Sequence, residues 1–457
     1  MLANINHIGL KSISILLLGS TYFYMGYSLE RSQFWLLFAL VSVAFLLSFY
    51  LYKTPLRFRY MVLLSFLLKL IFIGAIPEFS QDFYRFIWDG MLVNSDLNPY
   101  INLPSQLLDN QILREDSFST LLYDNMGSLS NTNYSTYPPV AQFFYAFSYA
   151  IAGDSLLYNV VILRLLNLLA EAGVIYFGLK ILKVLKLPKK TILLFILNPL
   201  VILESSFNLH FEVVMLLFLA MSIYYLYASK IYTSALAFAA AVASKMIPLL
   251  LLPLLLSYRS KDSKLVSRSQ LVFILKIIAT LLVSLVLAYS MFWNIEVLPK
   301  SFQTLSLYFT SFEFNASIYY VLRWVGYQWT GYNTIAVLGQ LLSIIICLAV
   351  LFLSLKHKIT SLKTLLHSML FASIIYYLLS TTIHPWYLML PLFLSIFTQY
   401  RFMLVWSWLV FLSYSAYRFE VVQENFWLLG IQYSTVLGVL AYEVLYKNSH
   451  THHSPAV

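Results

Sequence analysis

Long apolar runs alternate along this chain with short polar segments that hold most of its charge. A helix that crosses a bilayer needs ~20 predominantly apolar residues. By that measure the sequence predicts about 12 to 14 membrane segments, some of them short. The first three lie near residues 8–28, 34–52 and 60–77, and the next near 157–181. Later ones fall near 191–206, 211–229, 231–246, 270–293, 334–356, 364–382, 402–417 and 427–446. Two short apolar pieces, 247–257 and 386–398, follow Lys245 and Pro385 and read as broken helices. Lipid tolerates such breaks only where protein or a cavity takes up the freed backbone. Ile13 to Met25 has the length of a signal peptide but no small-x-small cleavage site, so it reads as a span. The pattern therefore predicts an all-α, polytopic transmembrane protein, one domain over residues 1–457.

Two segments interrupt the alternation, 78–156 and 294–333, both rich in aromatic residues. Val140 to Ala152 is too short for a crossing, and counting it would move the Lys180–Lys190 cluster to the other side. It reads instead as a helix lying in the membrane interface.

Composition agrees with a membrane protein. The chain is 60% hydrophobic and 11% charged, where soluble domains carry ~25% charged residues. Its formal charge of +10 sits in short loops: Lys53, Arg57 and Arg59; Lys180 to Lys190; Arg259, Lys261, Lys264 and Arg268; Lys356, Lys358 and Lys363. Such clusters mark cytoplasmic loops, so the basic balance reads as topology and not as nucleic-acid binding. With the N-terminus inside, the segment beginning at Glu78 is extracytoplasmic. The single cysteine, Cys347, lies within a predicted span and excludes an intrachain disulfide. The tail with His450, His452 and His453 reads as a solvated end without function. No internal repeat is evident.

Candidate chemistry begins at Gln81-Asp82-Phe83-Tyr84-Arg85-Phe86-Ile87-Trp88-Asp89-Gly90. On a helix, Glu78, Asp82, Arg85 and Asp89 would stack on one face. Asp82 can end the preceding span and pair with Arg85, or act as general base for a hydroxyl; spacing alone leaves both open. Asp89 can bind a sugar, orient Arg85 or hold a divalent ion, and two acids at this spacing are a weak metal signal. Asn208, His210 and Glu212 put three hydrogen-bonding side chains between apolar spans. Lys245, before Ile247-Pro248, is a cation that the topology does not explain; it can snorkel to headgroups or pair with a phosphate. His384-Pro385-Trp386-Tyr387 marks another broken junction, where belt aromatics are the ordinary reading.

In order, Asp82, Arg85-Phe86-Ile87-Trp88-Asp89-Gly90, Asn98-Pro99-Tyr100, Tyr137-Pro138-Pro139, Asn208 to Glu212, Lys245 to Pro248 and His384 to Tyr387 resemble the GT-C superfamily of membrane glycosyltransferases. Within it, the set is similar to bacterial polyprenyl-phosphate-mannose-dependent mannosyltransferases. It departs in having Gln81-Asp82 for a double acid, Glu212 where aspartate is commoner, and three spans before the loop instead of one. The resemblance implies GT-C-like architecture and an inverting transfer of mannose from a polyprenyl-phosphate donor to a glycolipid or glycan. It implies Asp82 as catalytic base, with Arg85, Asp89, Tyr137, His210, Glu212, Lys245, His384 and Tyr387 binding substrate. It implies no metal or other cofactor, and a site facing the periplasm from a bacterial inner membrane. A glycan polymerase or ligase is the nearest alternative and would use arginines such as Arg323 and Arg418. A lipid-linked sugar flippase or other transporter should show repeat symmetry and mid-span charges.

Overall fold

A computed structural model describes residues 2–108, 117–258, 267–356, 359–419 and 421–450 of the chain. The basic residues Arg259, Lys261, Lys264 and Lys358, the tail residues His452 and His453, and the side chain of His450 lie outside what is described.

The apolar runs are helices, as lipid requires when no water is present to satisfy the backbone. The single β feature among the described residues is a bridge between Phe314 and Thr382. Six helices are long and apolar enough to cross a membrane: Phe34–Lys53, Leu156–Val184, Arg268–Ser290, Ile335–Lys356, Leu362–Leu379 and Phe426–Leu445. Lys189–Ile196 and Pro199–Phe207 form a further apolar pair, bent by 53°. Asn198-Pro199 sits at the bend, where proline cannot continue the hydrogen-bond ladder. Five shorter apolar helices are Glu212–Tyr227, Ile231–Ser244, Ile247–Leu256, Pro385–Ser395 and Phe402–Tyr417. Leu2–Tyr27 and Phe58–Leu70 complete the body. The protein is an all-α, multi-pass membrane protein; six or seven segments qualify by length and composition, and the larger expected number counts the shorter helices too.

Two ends are distinguishable. At one, Lys190 Nζ donates to the Thr54 carbonyl (3.3 Å) and lies over the Tyr52 ring, and Lys189 lies over Phe58. Two basic loops that are far apart in sequence thus meet. Helix Phe34–Lys53 carries the chain ~30 Å away from there. At its start, Arg31 Nη1 donates to the Phe79 carbonyl (3.4 Å). Exposed tryptophans Trp293, Trp329 and Trp427 occur in the loops and helix ends on this second side, and Trp324 within helix Ile318–Thr330, as expected of residues at a membrane–water boundary.

Inside the body, Arg164 is fully buried. Its Nη1 donates to the Ile73 carbonyl (2.8 Å), its Nη2 to Ala75 (2.8 Å) and Phe207 (3.3 Å), and its Nε to Ser206. Asn167 Nδ2, one turn on, donates to the carbonyls of Ser205 (2.8 Å) and His210 (3.3 Å). One helix thereby satisfies the carbonyls that two others leave unpaired where they end.

The 78–156 segment is largely helical. Asp82–Asn94 packs on Pro139–Ala152, and a Cβ at Gly90 would collide with the Tyr145 carbonyl, so only glycine allows this approach. Pro139–Ala152 buries Gln142 and Ser148 and exposes Phe143, Phe147 and Ile151. Its apolar face outward suits a helix lying in the interface. One expectation is corrected: Glu78 does not share a helical face with Asp82. The helix begins at Asp82, because residues 78–81 form an irregular turn that separates them.

Candidate active site

A cavity of about 1140 Å³ lies at the tryptophan-bearing end. Asp82, Arg85, Tyr137, His210, Glu212, Lys245, His384 and Tyr387 all line it; Asp89 does not. The fold thus gathers eight sequence candidates from five separated segments into one wall.

Asp82 is the first residue of its helix and half-buried. Its backbone N–H donates to Ser80 Oγ (3.3 Å), and no described residue donates to its carboxylate. Burial pushes that carboxyl up to about 6; Lys245 and Arg31 hold it down and Glu212 adds to the rise. A carboxylate that is poorly solvated, near neutral pH and free of partners is suited to accept a proton.

Arg85 and Asp89 are joined at 2.7 Å, one helical turn apart. Asp89 is fully buried, and its other oxygen accepts from Ser135 Oγ (2.5 Å) and Gln142 Nε2 (2.9 Å). Arg85 Nη1 donates to the carbonyls of Ser130 and Asn133. Of the three roles open to Asp89, its position supports orienting Arg85, since its oxygens are engaged away from the cavity. The Tyr137 carbonyl accepts from the Tyr100 hydroxyl (2.7 Å), and Asn98 Nδ2 donates to the Phe292 carbonyl (2.9 Å). Asn98-Pro99-Tyr100 therefore ties the two aromatic segments together.

Part of that wall is a run of near-parallel rings. His210 stacks on Trp386 (centroids 3.6 Å apart), Trp386 on His384 (4.5 Å) and His384 on Phe314 (5.0 Å). The position of His384 is fixed by backbone bonds from Phe314 to Thr381 (3.1 Å) and from Ile383 to Phe314 (2.8 Å). Beside the rings, Lys245 pairs with buried Glu212 and lies over the Tyr387 ring at 5.3 Å. Lys245 follows directly on a helix that ends at Ser244, in an extended conformation that turns it towards the cavity before Pro248.

Two residues escaped the sequence reading. Glu204 lies in a π-helical turn, Ile202–Phe207, where it accepts from Tyr414 Oη (3.0 Å) and Asn208 Nδ2 (2.9 Å) and approaches His210 Nε2 at 3.6 Å. An acid inside an apolar run is costly and was a readable signal; π turns themselves often mark functional sites. Arg31 also lines the cavity, over the Tyr417 ring at 4.1 Å. By contrast, Arg323 is paired with Glu313 (2.7 Å) and Arg418 is exposed near Trp35, and neither lines the cavity.

A family model described as MptA_B family, alpha-(1->6)-mannopyranosyltransferase, N-terminal domain, matches residues 13–260. The match takes in Asp82 through Lys245 and ends before the second aromatic segment and His384. No curated protein matches the chain.

Proposed function

The chain belongs to the MptA_B family of alpha-(1->6)-mannopyranosyltransferases, and from that premise we propose that Asp82 is the base of an inverting mannosyl transfer at this cavity. The observation that carries the reading is the placing of a partner-free carboxylate and Lys245 on one cavity wall. Asp82 takes the proton from an acceptor hydroxyl, and that oxygen attacks the anomeric carbon of the donor mannose. The bond from this carbon to the phosphate oxygen breaks, and the electron pair leaves with the phosphate. An α linkage made by inversion calls for a β-linked donor, and a 1→6 linkage for a primary hydroxyl on the acceptor.

The donor is a mannose carried on a polyprenyl phosphate. Lys245 meets the phosphate, where a fixed cation stabilises developing charge. His384 and Tyr387 stand beside it, and Arg85, Tyr137, His210 and Glu212 shape the sugar site. Asp89 acts through Arg85. The lipid tail lies along the apolar flank made by Leu249, Leu250, Leu305, Phe309 and Ile346. The acceptor is a glycolipid or glycan, and the site faces away from the basic loops, towards the periplasm of a bacterial cell.

Purified protein supplied with radiolabelled polyprenyl-phosphate-mannose and membrane glycolipids, with and without EDTA, tests this reading. Transfer should fall ~10²–10⁴-fold in Asp82→Asn, because the amide cannot take the proton, while its melting temperature stays close to wild type. Wild-type turnover in that variant would remove the base assignment.

A further inference from the structure

His384 stands on the cavity wall with its Nδ1 buried and without a hydrogen-bond partner among the described residues. Its place therefore depends on the rings it stacks with and on the backbone beside it. One of those rings belongs to Phe314, whose main chain exchanges bonds with Thr381 and Ile383. Whatever fixes the chain at Phe314 thus also fixes His384.

The next residue is Asn315, fully buried, with a φ of +50°. Asparagine enters that left-handed region more readily than most side chains. All the polar groups of Asn315 are engaged. Its N–H donates to Glu424 Oε1 (2.5 Å) and its Nδ2 to the Ile383 carbonyl (3.2 Å). Its Oδ1 accepts from Gln432 Nε2 (3.1 Å) and its carbonyl from Tyr433 Oη (2.5 Å). Glu424 lies just before helix Phe426–His450, and its other oxygen accepts from Tyr320 Oη on helix Ile318–Thr330.

Neither Asn315 nor Glu424 lines the cavity, so they reach a substrate only through what they hold. What they hold is Phe314 and Ile383, the stacking partner of His384 and its neighbour in the chain. A carboxylate makes the bond to the Asn315 N–H stronger than a neutral acceptor does. Without it the buried N–H has to find another partner, and the turn shifts.

We propose that Glu424 and Asn315 are positioning residues for His384, a brace that joins the start of the last helix to the ring wall. The part His384 plays at a leaving phosphate rests on the mannosyl-transfer reading above; the brace does not.

The test follows His384 itself, in the full chain in detergent. Diethyl pyrocarbonate carbethoxylates accessible imidazoles, and mass spectrometry gives the rate at each histidine. Glu424→Ala should speed modification of His384 ~10-fold, the factor expected when a hydrogen bond to a charged group is lost. Glu424→Gln keeps an acceptor for Asn315 and should stay near the wild-type rate. Asn315→Gly retains the left-handed turn but drops the side-chain bonds to Ile383 and Gln432. It should also speed His384, and serves where Glu424→Ala does not fold. His367 lies towards the far end of helix Leu362–Leu379 from the cavity residues Tyr376 and Tyr377; it reports general loosening and should not change. In the radiolabel assay, Glu424→Ala should lower kcat/KM for the donor and add nothing in a His384→Ala background. An unchanged His384 rate in both Glu424→Ala and Asn315→Gly overturns the proposal. So does a Glu424→Gln rate equal to that of Glu424→Ala, acceleration of His367 alongside His384, or additive losses in the double variant. A protein inactive in transfer that still shows the expected His384 pattern counts against the proposed reaction and not against the brace.

Discussion

Two lysine–glutamate pairs lie within the helical body, and their surroundings differ. Lys69 and Glu171 are 2.7 Å apart and fully enclosed, and Lys69 Nζ also donates to the Ile196 carbonyl at 2.8 Å. Lys245 and Glu212 are paired as well, yet Lys245 keeps 26% of its side chain exposed and stands on the cavity wall. Taking such ions out of water costs several kcal/mol each, and attraction between them only partly offsets it. The enclosed pair does not line the cavity, so it locks helix Phe58–Leu70 to Leu156–Val184. The open pair can exchange Glu212 for an arriving anion. Charge in an apolar run marks a cost, and access decides what the cost is for.

The largest test of that contrast is Lys69→Met. It strands Glu171 and should cost ~3–5 kcal/mol of stability, whereas Lys69→Met/Glu171→Leu should recover most of the loss. A double variant melting as low as the single one would assign the effect to the Ile196 contact instead. Lys245→Ala comes next, with transfer reduced ~10²-fold through poorer use of the donor and a smaller fall in melting temperature than Lys69→Met. Equal loss of donor and acceptor use would point to misfolding and erase the distinction.

The pH profile sharpens it further. A base must be ionised, so transfer should rise with pH through about 6, where the Asp82 carboxyl titrates, and level off above. Lys245 holds that carboxyl down, so Lys245→Ala should move the midpoint upward; Lys69→Met should leave it in place. Identical midpoints in all three proteins would separate Lys245 from Asp82. The smallest effect concerns the apolar flank. Cys347, the sole cysteine, is exposed on the cavity wall, and maleimide labelling in detergent should slow several-fold when polyprenyl phosphate is added. Unchanged labelling would move the lipid tail elsewhere.

Much of this arrangement was legible in the sequence. Apolar run lengths gave the helices, and the order of polar motifs gave eight of the cavity residues. Asp82 and Asp89 show the limit. A spacing of seven on one helix reads as one face, but Ser135 and Gln142 arrive from the next segment and draw Asp89 under the surface. Periodicity says which side chains align, not which partner another segment brings. Lys69, Arg164, Glu171 and Glu204 were visible as charges in apolar runs, and their pairings were not. Arg31 reads as an ordinary loop cation until Tyr417 is seen beneath it.

Arg164 carries a consequence for biogenesis. It lies ~12 Å into its helix from the Leu156 end, at a depth where a lone arginine resists leaving the translocon for lipid. Its partners are the carbonyls of Ile73 and Ala75, made earlier, and of Ser206 and Phe207, made later. Leu156–Val184 therefore enters the bilayer with its debt half settled, leaning on the segment already inserted. It is completed when the bent pair after it arrives, so these three segments assemble as one unit during synthesis.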